Sequence, residues 1–264
     1  MMFLNAVILG IIEGITEFLP ISSTAHLIVV SKLLGIPQTD FQKFFEVFIQ
    51  AGAILAVVFL YTQYVDSHHQ LLKNIAFSFI PTAIAGLIFY RLIKSVFFES
   101  ILLVTITLFV VGLVFFLVED LIKKGKIKIE RSITNISWQE AIIIGLGQAL
   151  AVVPGVSRAG AVIVTMLLMG YRREQAAVYS FLLAVPTILA ASFFDLYKMR
   201  NVIMGSRGTI DYLFVGVVAS FVTALFSVRW LVSYLKKHTL VIFGIYRILL
   251  AIILILAFLI TTIY

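Results

Sequence analysis

Apolar residues recur in long blocks along the whole chain, and the polar positions between them divide it into pieces of membrane-crossing length. A helix needs roughly 20 apolar residues to cross the hydrocarbon core. On that scale spans are predicted at about 43–62, 71–92, 98–118, 174–197, 211–233 and 240–262. Two further apolar segments, about 3–34 and 138–170, are interrupted halfway by turn-forming residues: Leu19-Pro20-Ile21-Ser22-Ser23-Thr24 in one, Val153-Pro154-Gly155-Val156-Ser157-Arg158 in the other. Proline has no N–H to donate and clashes with the preceding turn, so each helix is expected to stop there. Non-helical backbone is tolerated at membrane depth only where protein or a wet cavity surrounds it. Both segments are therefore read as re-entrant helix-loop-helix hairpins lining a cavity, in preference to two ordinary kinked spans.

The two halves of the chain echo each other. At an offset of 134, Pro20-x-x-Ser23 falls on Pro154-x-x-Ser157 and Ile54-Leu55-Ala56 on Ile188-Leu189-Ala190; with one residue inserted, Gly10-x-x-Glu13 falls on Gly145-x-x-Gln148. A hairpin followed by three spans makes an odd number of crossings, which inverts the second half relative to the first. The expected fold is an all-α polytopic membrane protein of two inverted-topology repeats, each a re-entrant helix-loop-helix hairpin plus three transmembrane helices. It reads as a single integral membrane domain over 1–264, with repeat 1 at about 1–118, a linker at about 119–137 and repeat 2 at about 138–264.

Composition narrows the function classes. With 62% hydrophobic and 12% charged residues among 264, and a mean hydropathy of +1.12, no soluble core could bury so much apolar surface. The apolar blocks are spread along the chain, so no removable signal peptide is expected. Cysteine is absent, which excludes disulfides, thiolate metal sites and cysteine nucleophiles. A net charge of +7 points to anionic headgroups and not to nucleic acid, because the basic residues fall mainly between apolar blocks, as in Lys123-Lys124-Gly125-Lys126-Ile127-Lys128. On the N-terminal side of the predicted spans lie 7 of them, Lys32, Lys43, Arg91, Lys94, Lys198, Arg200 and Arg207. The other side carries 11, Lys73, Lys123, Lys124, Lys126, Lys128, Arg131, Arg172, Arg173, Arg229, Lys236 and Lys237. The richer side is expected to be cytoplasmic, with both termini on the outer face.

Candidate chemistry concentrates at the two breaks. Glu13 and Glu17 lie four apart, on one helical face, and Ser23 and His26 follow at i, i+3. Ionisable groups in membrane segments are costly, so a cluster of three within Glu13–His26 argues for function. The carboxylates suit a hard divalent cation or proton transfer. Ser23 as nucleophile needs a base, and His26 is the nearest in sequence; the same spacing also suits a histidine that attacks phosphorus while serine binds. In the second hairpin Gly155, Ser157 and Arg158 open a helix, where free N–H groups and a guanidinium fork make a phosphate cradle. Glu46 and Gln50, one turn apart, are expected to face the same cavity. His68 and His69 read as loop residues, and Tyr246-Arg247 as a pair meeting a lipid or another helix.

The run Glu13-x-x-x-Glu17-Phe18-Leu19-Pro20-x-Ser22-Ser23-Thr24-x-His26 resembles the first motif of the undecaprenyl-diphosphate phosphatase family, also named for bacitracin resistance. Phe45–Leu55 and Tyr246-Arg247 are similar too, so the resemblance covers nearly the whole chain. The second motif usually reads Pro-Gly-x-Ser-Arg-Ser-Gly-x-Thr; here Ala159 and Val162 stand in place of the second serine and the threonine. The resemblance implies removal of the terminal phosphate of a long polyprenyl diphosphate in the bacterial inner membrane. It also implies a divalent cation (Mg2+ or Ca2+) at Glu13 and Glu17, a homodimer, and a site open to the outer face. On it Ser23, His26, Glu17 and Arg158 are expected as catalytic residues, and Ser22, Ser157, Gly155, Thr24, Glu46 and Gln50 as substrate-binding ones. A threonine at 162 is expected to restore a phosphate donor and lower the apparent substrate constant, provided it faces the cavity. The competing reading is a transporter or flippase of a lipid phosphate or small anion, for which inverted repeats with broken helices are also a plan.

Overall fold

Interruption of the first and second apolar segments governs the architecture. A computed structural model describes residues 2–66, 68–92, 100–205 and 208–263; of the basic loop residues, Lys94 and Arg207 lie outside them. The first hairpin consists of α1 (Met2–Thr16) and α2 (Ser23–Leu33), followed by α3 (Asp40–Phe48), α4 (Gln50–Asp66), α5 (His69–Leu92) and α6 (Ile101–Lys123). The second consists of α7 (Trp138–Ala149) and α8 (Arg158–Leu168), followed by α9 (Arg173–Gly205), α10 (Thr209–Leu235) and α11 (Val241–Ile263). Apart from one isolated bridge between Arg131 and Tyr171, all regular structure among the described residues is helical. Among the described residues five segments are long and apolar enough to cross a membrane: Asp40–Tyr64, His69–Phe89, Ile101–Lys123, Arg173–Arg200 and Thr209–Leu235. The molecule is a multi-pass membrane protein, and large apolar side chains such as Phe59, Leu102 and Phe226 cover its outside.

The breaks come earlier than the prolines. α1 ends at Thr16, four residues before Pro20, and α7 passes through a short 3-10 turn at Leu150–Val152 before Pro154. A proline removes the N–H that would bond the carbonyl four residues back, which is Thr16 for Pro20 and Leu150 for Pro154, so the helices end there. Beyond each proline, Ser22 (φ 74°) and Ser157 (φ 73°) adopt the left-handed conformation, alone among the described non-glycine residues. Such a serine costs on the order of 1–3 kcal/mol and persists only where its surroundings enforce it. Prolines inside membrane helices behave differently: Pro81 and Pro186 sit within α5 and α9, which continue past them. The predicted span at 43–62 is likewise two helices, divided at Ile49.

Close approach of helices holds the breaks in the interior. α1 lies along α10, and a Cβ at Gly10 or Gly14 would collide with the backbone oxygens of Gly216 and Ser220. α7 lies along α5, where Gly145 meets the Ser78 carbonyl in the same way. Small residues are what allow helix backbones this near in lipid, where no hydrophobic force drives them together. α6 packs along α11, and their ends are tied by a buried ion pair: Arg173 at the start of α9 grips Glu119, which also accepts from the Leu240 N–H at 2.8 Å.

Candidate active site

The two breaks face each other across one cavity of about 540 Å3. From the first break come Glu17, Ser22, Ser23 and Thr24; from the second, Gly155, Ser157 and Arg158; Gln50 adds the start of α4. Glu17 is the hub. Its Oε2 accepts from the Ser23 hydroxyl at 2.5 Å and its Oε1 from Arg158 Nη2 at 2.8 Å. Residues 141 positions apart are thereby joined. Arg158 Nη1 is buried and has no partner, so one limb of the fork remains for an anion.

Backbone geometry prepares the same space. Ser157 caps α8, accepting from the Gly160 N–H at 3.2 Å. Ser22 makes no side-chain cap on α2, which leaves the first amides of that helix for another acceptor. At Gly155 (φ 90°) only glycine fits: a Cβ would run into the Thr107 hydroxyl, which donates to the Pro154 carbonyl at 2.6 Å.

Several expectations need correction. His26 does not reach Ser23. Its Nδ1 bonds the Ser22 carbonyl at 2.7 Å and its Nε2 the Tyr246 hydroxyl at 2.6 Å. A carbonyl only accepts, so Nδ1 carries the hydrogen, and in the neutral ring the lone pair on Nε2 is taken by Tyr246. The group bonded to Ser23 is Glu17. Glu46 does not line the cavity either; its Oε1 accepts from Ser31 at 2.8 Å, Gln42 at 2.9 Å and Gln38 at 3.0 Å, while its buried Oε2 has no partner and its charge reaches Glu13. Ala159 and Val162 are fully buried and turned away from the cavity, with Val162 in the main apolar cluster, so a hydroxyl at 162 would meet apolar neighbours instead of substrate. His69 opens α5 instead of lying in a loop, and His68, just before it, bonds the Tyr64 carbonyl in the last turns of α4 at 2.8 Å.

Glu13 is fully buried with neither carboxylate oxygen hydrogen-bonded, and it lies within electrostatic reach of Glu17 and Arg158. An all-oxygen pair with free acceptor positions suits a hard divalent cation. No group of three His, Asp or Glu close enough to hold a metal is found among the described residues, but the charge of Glu46 also reaches Glu13.

Arg247 is the residue whose role the sequence did not reveal. It is 0% exposed, and its guanidinium donates to the carbonyls of Pro20 in the first break, Gly155 in the second and Leu108 in α6. No carboxylate pairs with it among the described residues. Gln148, equally buried, donates to Thr82 at 2.8 Å and Thr187 at 3.1 Å on the far wall of the cavity.

A fully helical, multi-pass membrane protein that carries a serine, a carboxylate and an arginine on two facing helix breaks defines the class. The chain belongs to the family described as Bacitracin resistance protein BacA, whose profile matches residues 6–253. It is 50% identical over 250 residues to a protein of Sulfurihydrogenibium sp. named undecaprenyl-diphosphatase, covering 94% of this chain and 96% of that one. Proteins of the same name from Aquifex aeolicus (43% identity, 94% and 96% covered) and Methanococcus aeolicus (42%, 97% and 98%) are similar over the same extent.

Proposed function

We propose that the chain removes the terminal phosphate of undecaprenyl diphosphate, releasing undecaprenyl phosphate and inorganic phosphate and so recycling the lipid carrier of cell-wall synthesis. The observation that carries this reading is the unpartnered Nη1 of Arg158 on the wall of a cavity where Ser23 is already bonded to Glu17. Arg158 and the open amides of α2 would bind the terminal phosphate. Glu17 would take the Ser23 proton as Oγ attacks phosphorus, and the bond to the bridging oxygen would break with polyprenyl phosphate leaving. Water then cleaves the phosphoserine, releasing phosphate and restoring the hydroxyl. Positioning and charge stabilisation supply most of the acceleration in such transfers. Glu13 and Glu17 would hold a divalent cation, which supplies further neutralisation of phosphate charge. The names of the relatives favour this over transport of a lipid phosphate.

The inverted-repeat reading, as one membrane domain, is supported by exchange of packing partners. α1 lies along the second span of the other half, α10, as α7 lies along α5. If Ser22 and Ser157 are matched as left-handed caps, Ser23 pairs with Arg158 at an offset of 135, the register that also pairs Glu13 with Gln148. Nucleophile and phosphate anchor would then be the same position of two repeats. On the charge bias of the loops both termini face the outer side of the cell membrane, and on the family resemblance the site opens to that side. A homodimer rests on the resemblance alone.

The test is phosphate release from undecaprenyl diphosphate by purified protein, with and without chelator, against lipid transfer in vesicles. Release that chelation stops and Arg158→Ala abolishes is expected. Transfer of intact diphosphate without release would replace this reading with the transporter.

A further inference from the structure

A second cavity, of about 440 Å3, lies between α1, the turn after α2 and the start of α10, where Asn5, Thr39, Gln42, Thr209 and Tyr212 are part of its wall. No charged side chain is among its described lining residues. Gln42 leads inward. From that wall its amide donates to Glu46 Oε1 at 2.9 Å, alongside Ser31 at 2.8 Å and Gln38 at 3.0 Å. All three donors converge on one oxygen. The other, Oε2, is buried without a partner on a residue only 2% exposed, and the Gln38 amide, turned so as to donate, leaves its own buried Oε1 without a partner too. Two free acceptors therefore sit on side chains that a hydrogen bond joins, and an anion, itself an acceptor, would satisfy neither of them.

We infer that Glu46 Oε2 and Gln38 Oε1 belong to a second cation site, reached through this cavity and separate from the pair Glu13 and Glu17, and that its ligand is a hard, oxygen-seeking ion of the sodium or calcium kind. A carboxylate oxygen buried without a donor is costly, and a cation satisfies it where no N–H or O–H is at hand. The Ser31, Gln38 and Gln42 donors hold the other oxygen, so the carboxylate is oriented before an ion arrives. With a single carboxylate among neutral oxygens the affinity is expected to be weak, on the order of millimolar, since charge count sets the strength of such sites. An ion here also acts at a distance. The charge of Glu46 reaches Glu13, so a cation on Glu46 reduces the negative charge felt by the carboxylates at the first break. The site is independent of the phosphatase reading, and its test needs no substrate.

The experiment is a cation titration of the purified protein carrying Glu13→Gln, which takes the paired carboxylates of the first break out of play. The protein is stripped with chelator into choline chloride, sodium chloride or calcium chloride replaces the choline salt at constant ionic strength, and the melting temperature is read. At saturation one of the two ions is expected to raise it by about 2–4 °C. Adding Glu46→Gln, which keeps the shape of the side chain and an oxygen for its three donors, is expected to remove that rise. Gln38→Met in the same background leaves the carboxylate in place and is expected to raise the half-saturating concentration several-fold, which keeps the test open if the Glu46 variant does not fold. No rise with either ion, an equal rise after Glu46→Gln, or an unchanged half-saturating concentration in Gln38→Met would overturn the inference. Phosphate release by the parent protein is measured separately, so neither reading can fail on the other's account.

Discussion

Arg247 on α11 donates to the Pro20 carbonyl at 3.1 Å, across 227 positions of sequence. A second limb reaches the Gly155 carbonyl, so one guanidinium spans the two breaks that carry Ser23 and Arg158. A buried cation without a counter-ion is costly, and here it holds the left-handed turns at a fixed spacing. Arg247→Met should leave these carbonyls without donors, at about 1–3 kcal/mol each, and lower kcat more than it raises KM, while the protein still inserts. Arg247→Lys, which keeps one donor, should recover part of kcat. Parent kinetics in Arg247→Met would show that the turns hold themselves.

Arg158 uses one terminal nitrogen on Glu17 and leaves the other free. That division needs a planar fork, so Arg158→Lys should lose activity on the order of 100-fold, nearly as much as Arg158→Ala. Turnover close to normal in the lysine variant would mean that a point charge suffices.

Because Ser23 bonds Glu17 and His26 bonds Tyr246, Glu17→Gln should cost far more activity than His26→Ala. His26→Ala and Tyr246→Phe should cost about the same singly as together, as expected of one interacting pair. A loss in His26→Ala equal to that in Ser23→Ala would restore histidine to the reaction.

Val162→Thr should leave turnover and the apparent substrate constant unchanged and lower the melting temperature, since position 162 packs in the apolar cluster. A lower substrate constant would show that the hydroxyl reaches phosphate after all.

Much of this could be read in the sequence because its signals were local. Proline, glycine and serine in the middle of apolar segments marked both breaks, and carboxylates in membrane segments marked the cluster. Two of the relationships that were missed run through backbone carbonyls, which leave no trace in residue identity. Arg247 is held by Pro20, Gly155 and Leu108 carbonyls, and His26 is turned aside by the carbonyl of Ser22 one turn earlier. Glu46 was misassigned for a different reason: its partners Ser31, Gln38 and Gln42 are uncharged side chains 15, 8 and 4 positions before it, and nothing in their identity shows that they turn the carboxylate toward them.

The central claim is that Ser23, bonded to Glu17 and facing Arg158, attacks the terminal phosphate. Rapid quenching of purified protein with undecaprenyl diphosphate labelled in that phosphate, followed by peptide mapping, tests it most directly. Acid-stable label on Ser23, absent in Glu17→Gln, is the predicted result; acid-labile label on His26, or no phosphoenzyme under conditions proven to trap one, would contradict it.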